Sequence, residues 1–177
     1  NSNILKSIIN ISESKDLKQK NYKKIMATNR IQEQGEGLEV FIKDSFCGIP
    51  NSSTLEKQRI ENYLKTFSDT GHKNNPPDAM IKGGDAIEIK KKNDKSKKGS
   101  AGTLELNSSP PRSFLSDSDK NIQQETAECE ERPWKRDYLY VIGNVKSPNL
   151  FRVTCCYGDC FVSSNGEYDR IFDLIKN

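Results

Sequence analysis

The chain has 177 residues, 33% of them hydrophobic, and a net charge of +3. Leu, Ile, Val and Phe number 39, or 22%, just above the ~20% level below which chains tend to stay disordered. One folded domain over residues 1–177 with long polar loops is therefore expected, and several classes fall away: no apolar run approaches the ~20 residues of a membrane span, and a lone His72 excludes HNH-type nucleases and His-rich zinc enzymes.

Residues 1–11 lack a basic n-region and a small-residue cleavage site, so no secretory leader is expected, and without an initiating Met the numbering is expected to start inside a longer product. Five Cys at irregular spacings in a chain too long to need stapling read as reduced cytoplasmic thiols. Residues 3–32 read as helical, with residues 1–28 an N-terminal arm opened by Ile4, Leu5, Ile8, Ile9 and Ile11. Asn29 to Phe46 has a clearer stripe of Ile31, Leu38, Phe41, Ile42 and Phe46 at helical spacing. Cys47-Gly48-Ile49-Pro50 is its stop signal. Ser53 to Phe67 predicts a third helix, with Ser53 as N-cap, Glu56 completing a capping box, and Leu55, Ile60, Leu64 and Phe67 facing the core. Residues 69–77 are turn-formers.

The period then changes from 3.6 to 2. Residues 79–82, Gly83-Gly84 and residues 85–90 read as strand, glycine turn, strand. A basic loop follows over 91–100, and seven Lys fall between Lys82 and Lys98. This is either an electrostatic footprint for a polyanion or a solvated lysine-rich loop. Thr103 to Leu106 is a short extended run, and polar chain with a short helix continues to about Lys135. Asp137 to Val145 and Leu150 to Val162 predict two strands joined at Ser147-Pro148-Asn149, and Tyr168 to Ile175 a closing helix. The class is mixed α+β, or α/β.

The chemistry concentrates in Pro77-Asp78 and Glu88-Ile89-Lys90. On a strand, Glu88 and Lys90 share one face while Ile87 and Ile89 point to the core. Asp78 joins them only in one register. A two-residue turn would set Asp78 opposite Ile89, whereas a three-residue connection, with Ile81 opposite Asp85, sets it opposite Glu88. The paired glycines allow the longer turn, and that register is the prediction. Two carboxylates 4 Å apart repel by about 4 kcal/mol at an effective dielectric of 20, so such a pair calls for a cation. Oxygen ligands alone favour Mg2+. Asp78 and Glu88 as ligands, with Lys90 over the attacking water, make a centre for phosphodiester hydrolysis. Surface charges on an ordinary hairpin would give the same pattern.

Residues 75–91, NPPDAMIKGGDAIEIKK, resemble the catalytic segment of PD-(D/E)XK nucleases and are most similar to type II restriction endonucleases of the NgoPII type. The resemblance extends through Leu104 to Pro110, Tyr138 to Gly143 and Tyr157 to Cys160. It implies a restriction-endonuclease-like core of helix, three-stranded β-meander, helix and further strand. It implies Asp78, Glu88 and Lys90 as catalytic residues and Glu39, in Gly37-Leu38-Glu39, as a further acid at the metal. It also implies Mg-dependent, sequence-specific cleavage of double-stranded DNA to 5'-phosphate ends, and suggests a GGCC-like target. NgoPII-type chains continue well past residue 177, so either truncation at the C-terminal end or a shortened member of the family is expected.

Asn107, Ser108, Ser109 and Arg112, in a Pro-stiffened loop, are candidate DNA contacts, since Arg and Asn can read purine edges and Ser can bind phosphate. A plain solvent-exposed turn is the alternative. Lys91 and Lys92 are candidate phosphate contacts. Cys155, Cys156 and Cys160 with Cys129 match no standard zinc knuckle, and Cys155 reads as strand core. Cutting both strands of a symmetric site implies a homodimer on the DNA dyad. A bacterial, cytoplasmic restriction enzyme is thus the leading reading. A repair or junction nuclease on the same core and a non-catalytic nucleic-acid-binding module are the rivals.

Overall fold

The computed structural model describes residues 3–14, 32–50, 55–72, 75–93, 111–119, 122–146 and 149–176. Helix α1 (Ile4–Glu13) is capped by Asn3, whose side chain accepts from the Lys6 N–H at 2.9 Å. It lies on α2 (Gln32–Phe46), where the Asn10 amide donates to the Ser45 carbonyl at 2.7 Å and Ile11 is buried. The expected stop after Phe46 is in place. Gly48 takes φ +75°, its N–H reaches the Ser45 carbonyl, and the Ile49 N–H reaches that of Asp44, which is a Schellman closure.

The third helix departs from expectation. It runs as α3 (Glu56–Thr66) from Leu55 with no side-chain cap, and Ser53 lies outside the described residues. Of the anticipated core face Phe67 is buried, but Leu55, Ile60 and Leu64 are exposed, while Arg59 is buried. The reason is Asp44. This α2 carboxylate is fully buried and would be costly alone. Arg59 Nε donates to both its oxygens at 3.0 and 3.1 Å and the Tyr63 hydroxyl donates at 2.9 Å. The polar side of α3 turns inward to supply that partner, and the apolar stripe is left outside.

Strand β1 (Phe67–Asp69), unanticipated where the predicted third helix gives way to the turn-forming stretch, opens an antiparallel meander with β2 (Ala79–Ile81) and β3 (Ala86–Asn93). The chain then passes β4 (Phe114–Ser116), also unanticipated, and the single turn α4 (Gln124–Ala127) before β5 (Lys135–Lys146). Strand β5 runs parallel to β3 and forms an antiparallel hairpin with β6 (Asn149–Tyr157). The expected 150–162 strand thus ends early, in a 3-10 turn over Gly158–Cys160, and α5 (Asn165–Lys176) closes the chain. Thr103 to Leu106 lies outside the described residues. The order is helix, three-stranded meander, short helix and further strand, with α3 interposed and a six-stranded, mostly antiparallel sheet.

Both faces of the central strands are covered, so Tyr138-Leu139-Tyr140-Val141 is buried without interruption. On one face Leu38, Phe41, Ile42 and Phe46 of α2 pack on Ala79, Ile81, Ile87, Leu139 and Val141, with Ile89 and Cys155 at the margin. On the other, Met80, Ala86, Leu115, Trp134, Tyr138 and Tyr140 form a second, smaller cluster. The five cysteines are free thiols. Among the described residues no helix is long and apolar enough to cross a membrane.

Candidate active site

The site is built on the β2–β3 hairpin, and its register decides everything. Ala79 stands opposite Ile87 and Met80 opposite Ala86. The Ile81 N–H reaches the Asp85 carbonyl at 3.0 Å, and Lys82-Gly83-Gly84 form the connection with Gly83 at φ +62°. This is the three-residue turn, and it brings Asp78 opposite Glu88. Ile87 and Ile89 point to the α2 face, and Glu88 and Lys90 to the other, as the alternation requires.

Glu88 is buried and held by two donors. Lys90 Nζ reaches its Oε1 at 2.5 Å and the Tyr138 hydroxyl its Oε2 at 3.0 Å. Asp78 Oδ2 accepts from the Ile89 N–H at 2.5 Å. Burial pushes the Asp78 carboxyl up to about 7, with the charge of Glu88 the next cause. The Ile89 N–H and Lys90 oppose the rise, and the charge of Glu39 adds to it. The fold therefore brings two carboxylates together without enough positive charge of its own. Behind Asp78 the main chain is fixed: Gly71, at φ +88°, lies so close that a Cβ there would stand 2.2 Å from the Asp78 carbonyl oxygen.

Glu39 is near enough to be felt at Asp78, yet it is engaged elsewhere. Its Oε1 takes Lys43 Nζ at 2.5 Å, and that buried ammonium also donates to the Thr70 carbonyl at 2.7 Å. A cation four residues on along the same helix is the closest counter-charge available to it. Among the described residues no three His, Cys, Asp or Glu side chains converge within shared ligating reach. The geometry supplies a pair, Asp78 and Glu88, whose hard oxygen donors and excess negative charge fit a divalent cation such as Mg2+.

The other sequence-derived positions separate. Lys92 follows Glu88 and Lys90 on the site face, whereas alternation turns Lys91 to the reverse face, where burial pulls its ammonium below the ordinary lysine value. Arg112 is not a free reader: it is buried, its guanidinium donates to Asp119 at 2.7 Å, and its N–H donates to the Tyr140 hydroxyl at 2.8 Å. Burial and the bond to Asp119 turn this guanidinium into the fold rather than out toward a base. Asn107, Ser108 and Ser109 lie outside the described residues. His72 sits in the β1–β2 loop, bridged to Asn75. Tyr138 and Lys43 were missed. Tyr138 could have been found from its place in a long apolar strand where a hydroxyl needs a partner; Lys43 carried no signal beyond its i,i+4 spacing from Glu39.

Fold and site together define a mixed α/β protein with an acid–acid–lysine centre on a hairpin. The chain belongs to the NgoPII restriction endonuclease family, which matches it over residues 2–177. The Type II restriction enzyme NgoPII of Neisseria gonorrhoeae is 35% identical over 176 residues, which cover 98% of this chain and 59% of that relative. The chain thus spans less than two thirds of the relative's length. No solved structure matches it.

Proposed function

We propose that the chain is a type II restriction endonuclease, a Mg-dependent, sequence-specific phosphodiesterase of double-stranded DNA. The observation that carries this is the hairpin register, which sets Asp78 opposite Glu88 with Lys90 bonded to the second acid. Asp78 and Glu88 would hold the cation, which when bound supplies neutralisation of phosphate charge and activation of water. Lys90 swings from Glu88 to orient the attacking water and to stabilise the charge that builds on the phosphoryl oxygens. Water adds to phosphorus and the 3'-oxygen leaves, giving a 5'-phosphate and a 3'-hydroxyl. The Ile89 N–H fixes Asp78 throughout. Glu39, whose charge reaches Asp78, would be the further acid at the cation, giving up its bond to Lys43.

Lys92 with Asn107, Ser108 and Ser109 are the proposed DNA contacts. The family similarity and the two-strand reaction support a GGCC-like target, a homodimer on the DNA dyad and action in the bacterial cytoplasm. Incubation of plasmid with the protein and Mg2+ tests this. Discrete fragments are expected; a smear or nicks would mean a repair-type nuclease, and intact plasmid a binding module.

A further inference from the structure

We propose that Tyr138 is a positioning residue that holds Glu88 in its working orientation while Lys90 attends to the substrate; this rests on the nuclease reading above. The argument starts from the two bonds on Glu88. Lys90 anchors one oxygen and Tyr138 the other. A lysine that acts on water and phosphate cannot also be the acid's only anchor. When Lys90 turns away, the Tyr138 bond to Oε2 is what keeps the carboxylate plane fixed, leaving Oε1 to face the reacting centre.

The phenol is suited to this because it cannot follow the lysine. Tyr138 is 2% exposed, and its ring is packed among Met80, Ala86, Leu115, Trp134 and Tyr140, the last at 5.0 Å between centroids. Strand β5 runs parallel to β3 with Tyr140 alongside Glu88, so the ring is set by the sheet register and not by a mobile loop. Hydrogen-bonded partners behind ligating carboxylates commonly contribute ten- to a hundredfold to cation affinity or rate, about the effect expected here.

The test compares the full wild-type chain with Tyr138→Phe, Glu88→Gln and Lys90→Ala. Tyr138→Phe is expected to slow single-turnover cleavage in Mg2+ by about tenfold or more and to weaken Ca2+ binding, read by calorimetry without DNA, by a similar factor. Its affinity for DNA in chelator should stay within about twofold, a split that a general loss of structure would not give. If wild type cuts, Lys90→Ala does not, and Tyr138→Phe matches wild type in rate and Ca2+ affinity, the positioning role is overturned while the nuclease reading stands. If wild type leaves DNA intact, the nuclease reading fails, and the Ca2+ affinities still decide whether Tyr138 holds Glu88. Should Tyr138→Phe not fold, replacing Tyr138 by 4-fluorophenylalanine keeps the ring's bulk and removes the donor; unchanged rate and Ca2+ affinity in that protein overturn the proposal equally.

Discussion

Two aspartates lie in dry surroundings here, and their company differs. Asp44 on α2 is enclosed by Arg59 and Tyr63, which satisfy both oxygens. Asp78 on the hairpin faces another carboxylate, with Lys90 shared between them. Burial raises the proton affinity of both. For Asp44 the nearest charge opposes that rise, and for Asp78 it reinforces it. Asp44 finds its counter-charge within the fold, whereas Asp78, the proposed working acid, has another carboxylate as its neighbour.

The sharpest way to break this contrast is Lys90→Ala, which removes the ammonium bonded to Glu88. Cleavage should fall by about a thousandfold, near 4 kcal/mol of barrier, with DNA affinity largely kept. Single-turnover plasmid assays measure it, and retained cutting would dismiss the assignment. Asp44→Asn leaves the buried Arg59 guanidinium with only the exposed Glu56 carboxylate as counter-charge, 3.1 Å away, and should cost about 3 kcal/mol of stability in urea unfolding; a near-neutral result would mean the pair is not closed in solution.

Asp78→Asn should act in the opposite direction. The folded carboxyl titrates at about 7 and an ordinary one at 3.8. The penalty for its charge is absent below the ordinary value, grows as pH rises and is complete above about 7. Without cation, the substitution should therefore stabilise the protein at pH 8, by a few kcal/mol at most, and not at pH 4. Melting temperatures across pH check the sign. Mg2+ at ten times its Kd should add about 1.4 kcal/mol to wild type, with apparent affinity strengthening as pH rises through 7 because the proton competes. Asp78→Asn should lose most of that gain in the same scans. The smallest effect expected is at Lys92, where Ala should reduce the salt slope of DNA binding by about one while Lys91→Ala leaves it unchanged.

The sequence was most readable where a short-range rule had a single solution. Alternation through Ile87-Glu88-Ile89-Lys90 and two adjacent glycines were enough to predict the register and the clustering of Asp78, Glu88 and Lys90. The Schellman closure at Gly48 is another local rule, and it too held. Apolar periodicity failed at α3, because the need to neutralise Asp44 outweighed the burial of Leu55, Ile60 and Leu64. That need arises only after two helices meet. Strands β1 and β4, three residues each, are too short to show a period. Tyr138 stands 50 residues from Glu88 in sequence, and only the parallel pairing of β3 with β5 puts its hydroxyl on that acid. Arg112 looked available because its loop is polar, yet Asp119 and Tyr140 had already claimed it.

Gly71 carries a lesson for anyone surveying relatives of this chain. It presses main chain against main chain behind Asp78, so no rotamer change can absorb even a methyl group there. A descendant that lost this glycine would keep every acid and lysine of the motif, and a scan for charged residues would pass it as sound. Its first acid would nonetheless stand out of line, and its competence would have been erased by the one neighbour that bears no chemistry of its own.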